Sequence, residues 1–343
     1  MPELAPDAPA STALAGRHYR IRDHYEVGRE KVREFARAVQ NHHPAHHYEA
    51  DAGKLGWDSL VAPPTFASVI GMNTTQALLD NVLSEYDLSQ ILQTDQTFQI
   101  FRPIVAGDVL RSEAEIESIR HLRGNDFITV KATVLDAEGT VVQVGSATLV
   151  ARLGGAVDAD IVRLVEGVVM HRREVIESDP EILIPITTEE AAVDPTGRDI
   201  TVDTLPHFED LAVGDQLPLA TMQLTRGDLA NYAGVASDPN PIHFSDAAAE
   251  LAGLPTVVAH GLLTMGLGAQ YLTSWLGDPA AVASYSVRFS GFVPVPPLQP
   301  AQIAFTAKIK ALDPELRAAT VLLNATCDGK KLFGRALAEV RLS

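Results

Sequence analysis

Residues 35–48 read FARAVQNHHPAHHY, and residues 232–245 read YAGVASDPNPIHFS. The two stretches align at an offset of 197 residues, which places His46 over His243. The alignment continues without a gap into the uncharged segments that follow each stretch. Self-similarity at a fixed offset is the sequence signature of a duplicated unit. The sequence therefore predicts two copies of one domain.

Each copy carries the same succession of signals: a short helix, the repeated motif, a second short helix, a long uncharged segment and four strand-like runs. The uncharged segments span Leu60–Leu79 and Leu251–Gly277. A helix without charge on any side needs burial all round, and a curled antiparallel sheet provides it. Turn signals such as Gly107–Asp108 separate the runs, as in an antiparallel meander. We therefore expect an α+β fold of two tandem hot-dog domains, each a sheet wrapped around a long central helix.

The length of 343 residues suits two domains. We expect a loose, Ala/Pro-rich leader over residues 1–16 and a first hot-dog domain over residues 17–153. A structured linker over residues 154–204 contains one amphipathic stretch, DADIVRLVEGVVMHRREVI. The second hot-dog domain covers residues 205–343. Such a linker would let the two domains pair within one polypeptide, in place of a dimer of separate chains.

The composition excludes several classes of protein. With 46% apolar and 21% charged residues the chain has enough material for a packed core, which rules out global disorder. A net charge of −17 argues against a nucleic-acid-binding surface. A single cysteine, Cys327, fits a reducing compartment. The first twenty residues do not read as a secretory signal, and we expect no membrane span, so a cytoplasmic location is predicted.

The second copy of the motif gathers chemically useful side chains. Asp238, Asn240 and His243 lie within six residues, and the two intervening prolines stiffen the loop that holds them. An Ala-His-Gly sequence then starts the uncharged helix, where the N–H of Gly261 could stabilise an oxyanion. Each residue also has a structural explanation: Asp238 and Asn240 could cap or close a turn, and His243 could be a core histidine. A turn requires no histidine, however, and the combination favours acid–base catalysis.

These motifs carry a resemblance to a known family. The D-x-N-P-x-H loop and the residues around it resemble the MaoC-like dehydratases, also called R-specific hydratases, throughout residues 206–343. QLTRGDLANYAGV and VRFSGFVPVP are similar to the B subunit of the (3R)-hydroxyacyl-acyl-carrier-protein dehydratase of mycobacterial type II fatty acid synthesis. Residues 17–153 look like its A subunit through LVAPPTF and FRPIVAGDVL. The chain thus resembles a fusion of the A and B subunits.

The resemblance implies reversible dehydration of 3-hydroxyacyl thioesters to trans-2-enoyl thioesters, in fatty acid elongation of the mycolic acid type. In this hypothesis His243 is the base at C2, and Asp238 with a bound water handles the hydroxyl. Asn240 orients them, and Gly261 receives the oxyanion. No metal or organic cofactor is expected. The division of roles between Asp238 and His243 stays open, as does the physiological direction.

The first copy lacks the same chemistry. Where the second copy has its aspartate, its asparagine and the His-Gly pair, the first has Asn41, His43 and Pro63–Pro64. An asparagine does not titrate near neutral pH, and a proline has no N–H to offer. His46 remains without its acid partner, so we expect it to be structural. We predict one active site, in the second half, while by resemblance the first half binds the acyl chain beside a displaced helix.

The run HHPAHH at residues 42–47 could chelate a metal if it were helical, because His42 and His46, like His43 and His47, are four residues apart. The proline within it argues against a regular helix, so no metal is expected there.

The sequence does not decide whether the thioester is carried on acyl carrier protein or on coenzyme A. Residues 280–343 carry eight Lys and Arg against four Asp and Glu, which could steer an acidic carrier protein or could simply protect strand edges. The alternatives are an R-specific enoyl-CoA hydratase of β-oxidation and a non-catalytic acyl-thioester-binding protein. A hot-dog thioesterase is disfavoured, because residues 262–276 contain no carboxylate. Chain length and assembly are also open, the latter between a double hot-dog monomer and a higher homo-oligomer.

Overall fold

The computed structural model describes residues 13–84, 86, 91–152, 168, 181–198 and 200–343. Most of the predicted leader and, except for Val168, the amphipathic stretch predicted in the linker lie outside the described residues. The elements of the first half are β1 His18–Ile21, β2 Tyr25–Glu26, α1 Arg29–Ala38, α2 Glu49–Lys54, α3 Ala67–Asn81, β3 Ile91–Ile100, β4 Val109–Leu122, β5 Asn125–Leu135 and β6 Val141–Arg152.

The second half repeats this order after a short strand, β7. Its elements are β7 Leu183–Ile186, β8 Gln216–Leu224, α4 Arg226–Ala236, α5 Asp246–Leu251, α6 Gly261–Leu276, β9 Val282–Phe289, β10 Ala301–Asp313, β11 Ala318–Cys327, β12 Lys330–Lys331 and β13 Phe333–Arg341. A 3-10 turn follows the first helix of each copy, at Pro44–His46 and at Pro241–His243. The predicted succession of helices and strands is therefore present in both copies.

The strands form one antiparallel sheet with the order β7-β1-β4-β5-β6-β3-β9-β13-β11-β10-β8, with β2 paired to β4 and β12 to β11. The two halves meet where β3 pairs with β9, with Phe98 opposite Tyr285. At the same junction Arg288 Nε donates to Asp95 Oδ1 at 2.8 Å. The hot dogs thus pair edge to edge through main-chain hydrogen bonds.

The strands at the rim of the sheet have no clear signal in the sequence. β1 and β7 have four residues each and β2 has two, so their alternation is too short to stand out. β8 is longer but contains Pro218, which an edge strand tolerates and a central strand does not. β1 pairs with β4 and β7 with β1 at one end of the sheet, β8 pairs with β10 at the other end, and β2 adds a short pairing to β4.

The central helix of the second half is buried on nearly every side, as predicted. α6 starts after His260, and it ends at Gly277, whose φ of +76° is the left-handed conformation that a helix C-terminus favours. A Cβ at Gly266 would lie 2.6 Å from Cγ1 of Val39, so the glycine lets the first half approach closely. Gly268 likewise makes room for Tyr285 of β9. Small residues on α6 thus let the helix pack closely against Val39 of the first half and Tyr285 of the second.

The central helix of the first half differs, and here the expectation of burial all round is wrong. α3 begins at Ala67, three residues after the position that the repeat predicts, and Pro63 and Pro64 stand where α6 has His260 and Gly261. Gly71 falls at the repeat position of the tightly packed Gly268, yet a Cβ there would meet no atom within 4 Å. Asn73 in the next turn is exposed. One side of α3 therefore borders open space.

Candidate active site

The loop after α4 is shaped by its own hydrogen bonds. Ser237 ends the helix in the left-handed conformation, with φ of +57°. The N–H of Asp238 donates to the Ala233 carbonyl at 3.1 Å, and Oδ1 of Asp238 accepts the N–H of Asn240 at 3.2 Å. Oδ1 of Asn240 in turn accepts the N–H of Ile242, also at 3.2 Å, and so caps the 3-10 turn. Asn240 thus fixes the loop between the predicted acid and the predicted base.

This loop brings the predicted acid and base together. Asp238, His243 and His260 each present one nitrogen or carboxylate oxygen, and these three atoms lie within 4.8 Å of one another. Nδ1 of His243 lies 2.7 Å from the Val258 carbonyl oxygen. Because a carbonyl only accepts, Nδ1 carries the proton in the neutral ring, and Nε2 keeps a free lone pair. The imidazole is thereby set up as a base.

Burial lowers the pKa of His243, while the neighbouring Asp238 carboxylate and the bond to Val258 act in the opposite direction. The ring is only 8% exposed. Burial also lowers the pKa of His260 well below its usual value, with His243 acting in the same direction. Both rings are therefore neutral at pH 7, which is the form that a general base requires.

Gly261 begins α6 beside these side chains. The first N–H groups of a helix have no acceptor within it and lie at the positive end of its dipole. The Phe289 ring packs over this glycine, since a Cβ there would lie 3.4 Å from Cε1 of Phe289. The position thus offers a backbone donor beside an apolar wall, as an oxyanion site needs.

His260 belongs to the Ala-His-Gly motif, but the predicted catalytic set does not include it. It is fully buried between Tyr232, with ring centroids 4.9 Å apart, and His243, with ring centroids 3.8 Å apart. The Ala-His-Gly sequence marked its place at the helix start. Its contact with His243 is a tertiary feature that no spacing reveals.

The first copy repeats the histidine geometry without the acid. Nδ1 of His46 lies 2.6 Å from the Val61 carbonyl oxygen, which is the same contact 197 residues earlier. Burial lowers the pKa of His46 to about 3. Asn41, at the position of the missing acid, donates from Nδ2 to Thr273 Oγ1 of α6 at 3.1 Å. His46 therefore holds the loop of the first half to Val61, and Asn41 links that loop to α6 of the second half.

Two further histidines of the HHPAHH run, His43 and His47, also contact backbone carbonyls. Nε2 of His43 lies 2.8 Å from the Gly277 carbonyl oxygen, and Nε2 of His47 lies 3.1 Å from that of Asn41. Among the described residues, the ligand atoms that lie close enough together to hold a metal ion belong to a different group. That group is Asp238, His243 and His260.

Known proteins share both halves of this architecture. Residues 211–315 match the MaoC-like domain family, and residues 13–144 match the FAS1-like dehydratase domain region. A solved MaoC-like dehydratase is 42% identical, with a TM-score of 0.85, over 97% of this chain and all of that chain. The chain belongs to the MaoC-like dehydratases. As a MaoC-like dehydratase it is a hydro-lyase with two tandem hot-dog domains, as predicted.

Other relatives of this MaoC-like dehydratase match part of it. A UPF0336 protein of Saccharopolyspora erythraea is 39% identical over 144 residues, which cover 42% of this chain and 92% of that protein. A UPF0336 protein of Mycobacterium tuberculosis is 40% identical over the same length, covering 91% of that protein. A further Mycobacterium tuberculosis protein, described as having a double hotdog fold, is 12% identical with a TM-score of 0.62, over 96% of each chain, and shows the fold alone.

None of the described helices combines the length and the apolar character that crossing a lipid bilayer would take.

Proposed function

We propose that the second half catalyses the reversible dehydration of (3R)-hydroxyacyl thioesters to trans-2-enoyl thioesters, with the acyl chain carried on acyl carrier protein during fatty acid elongation. The observation that carries this proposal is the neutral, buried His243 beside the Asp238 carboxylate at the start of α6. The fusion of a FAS1-like dehydratase region to a MaoC-like domain supports a substrate from fatty acid synthesis.

The geometry supports a proton-neutral cycle. Nε2 of His243 takes the proton from C2, and the negative charge that develops on the thioester oxygen is stabilised by the N–H of Gly261. The C3–O bond then breaks, and the proton from C2 returns through Asp238 and its bound water to the departing hydroxyl, which leaves as water. The enzyme ends in its starting state, so no external acid or redox partner is needed. Hydration follows the same steps in reverse.

The opening beside α3 suits the acyl chain. Gly71 faces open space in the middle of that helix, and the half-buried Met72 is next to it. The equivalent space beside α6 is filled by Tyr285. We therefore place the distal part of a long acyl chain along α3, in the half that has lost its acid.

Filling this opening should shorten the preferred chain. In Gly71→Leu the new side chain enters the open space, and leucine is a good helix former, so the fold is retained. We expect kcat/KM for long-chain enoyl thioesters to fall roughly 10-fold or more, with little change for short chains. Gly53→Leu, at an exposed helical glycine with equally free surroundings, is the control. Equal loss for all chain lengths would argue against an acyl groove at α3.

The basic stretch of the second half supports an acidic carrier. The lysines of β10 and β12 are exposed, and no ion pair is seen for them among the described residues: Lys308, Lys310, Lys330 and Lys331. An unpaired basic surface on an acidic protein steers an anionic partner.

Reversing that charge should affect one carrier more than the other. For Lys308→Glu combined with Lys310→Glu, we expect KM for acyl carrier protein substrates to rise roughly 10-fold and to fall back at high salt. KM for the matching coenzyme A substrates should change less. Lys54→Glu, one exposed charge reversal in the first half, is compared with the single variant Lys308→Glu, which changes the net charge by the same amount. A KM that rises equally for Lys54→Glu contradicts a docking role.

The function itself is tested by following the loss of enoyl absorbance as trans-2-enoyl thioesters are hydrated. Short, medium and long chains are each supplied on coenzyme A and on acyl carrier protein. A preference for long chains on carrier protein supports the proposal. A preference for short coenzyme A esters would instead indicate a hydratase of β-oxidation. Absence of turnover on every substrate, together with tight binding of acyl thioesters, would indicate a non-catalytic binding protein.

A further inference from the structure

His260 is a buried polar side chain whose hydrogen bonds are not made within the protein. It is fully buried, and neither Nδ1 nor Nε2 has a hydrogen-bond partner. It occupies the N-cap of α6 but makes no capping bond with its side chain. Buried polar groups in folded proteins are nearly always paired, so an imidazole with both nitrogens unpaired calls for an explanation. Packing alone would be served as well by an apolar ring.

The position of the ring is fixed from two sides. His243 stacks on it with an angle of 28° between the ring planes, and Tyr232 packs against it. Burial and the neighbouring His243 both oppose protonation of His260. The ring therefore carries one N–H donor and one lone pair, and it cannot easily swing away to find water.

One nitrogen of this ring faces the proposed active site. It lies within 4.8 Å of a carboxylate oxygen of Asp238 and of a nitrogen of His243. Two hydrogen bonds of about 2.8 Å that meet at one oxygen with a tetrahedral angle span roughly 4.6 Å. The upper limit of 4.8 Å between these atoms is therefore compatible with one substrate oxygen that bonds to all three side chains.

We propose that the ring N–H of His260 donates a hydrogen bond to the oxygen on C3 of the substrate, which is the hydroxyl that leaves as water and, in hydration, the attacking water. This inference rests on the proposed function. As the C3–O bond breaks, negative charge grows on that oxygen, and a buried donor stabilises it. His260 keeps its own proton throughout, because the proton needed by the leaving hydroxyl is the one removed from C2. Its neutral state also keeps a second positive charge away from His243 when that ring is protonated.

Two substitutions separate this role from packing. His260→Phe keeps an aromatic ring against His243 and Tyr232 but removes both nitrogens. We expect kcat to fall on the order of 100-fold while KM and the melting temperature change little. His260→Gln keeps an N–H donor and loses the ring, so it should recover part of kcat even where it lowers the melting temperature. If the role of His260 is purely structural, His260→Phe should be more active than His260→Gln. A wild-type kcat for His260→Phe would overturn the proposed hydrogen bond.

A binding measurement covers the case in which the wild type turns over no enoyl thioester. Calorimetry compares a non-reactive 3-hydroxyalkyl thioether of coenzyme A, with a methylene in place of the thioester carbonyl, against the same analogue without the hydroxyl. Wild type should prefer the hydroxylated analogue, and His260→Phe should lose most of that preference. An unchanged preference overturns the role of His260. Lack of turnover with the preference intact overturns the proposed reaction alone.

Discussion

Asp238→Asn should fold normally and lose at least about 1,000-fold in the rate of enoyl thioester hydration. The amide has the same shape as the carboxyl, and its oxygen can still accept the N–H of Asn240, so the loop keeps its conformation. What the variant lacks is a group that can exchange a proton with the departing hydroxyl. Enoyl absorbance measures the rate, and circular dichroism with a thermal melt verifies the fold.

Asp246→Asn provides the matched control. Asp246 lies eight residues further along, at the start of α5, where it is exposed and accepts hydrogen bonds from Arg226. Its replacement should leave the rate within about two-fold, since surface ion pairs contribute at most about 1 kcal/mol to stability. If Asp238→Asn keeps a rate within ten-fold of the wild type, the assignment of the acid is wrong.

The folded protein should lose stability as the pH falls below about 6.5, before its carboxylates are protonated. Burial lowers the pKa of four histidines, His43, His46, His243 and His260. In the unfolded chain these rings take up protons near pH 6.5, whereas the native state holds them neutral. The unfolded state then binds more protons, and stability falls by up to about 1.4 kcal/mol per pH unit for each such histidine. Urea unfolding between pH 7 and pH 5 measures this slope.

His46→Leu isolates one of these contributions. The pKa of His46 is about 3, so this ring stays neutral in the folded protein between pH 7 and pH 5 and contributes to the loss of stability over the whole range. The variant should be less stable at pH 7, because the Val61 carbonyl loses its donor, yet its stability should fall less steeply with acid. His42→Leu, at the exposed first histidine of the same run, should keep the wild-type slope. Identical slopes for the two variants would exclude His46 as a source of the acid sensitivity.

The repeat made much of this architecture predictable. Its gapless alignment placed both motif loops, and the uncharged segment placed the start of α6 at Gly261. The prolines around Asn240 predicted a stiff loop, and the loop does carry Asp238 and His243 to one point. These features depend on local sequence, where turn chemistry and periodicity are strong signals.

Other features depend on contacts between distant segments. The register of β3 against β9 is set by how two sheets meet, and neither strand specifies its partner. α3 has an open side because the helix starts later than α6 and because no side chain packs against Gly71. The isolation of the His260 ring results from the stacking of His243 and Tyr232, which come from the preceding loop and helix. A single sequence without these contacts cannot reveal them.

The β3–β9 junction also changes how the two halves find each other. In a pair of separate chains, that edge would form by collision, dilution would break it, and two identical halves could compete for the same edge. Here both strands belong to one polypeptide, so the encounter is intramolecular and its effective concentration is set by the connecting chain. The stoichiometry of one half to the other is fixed at synthesis. A half that has lost its acid can then specialise for packing and substrate contact without competing against its own copies.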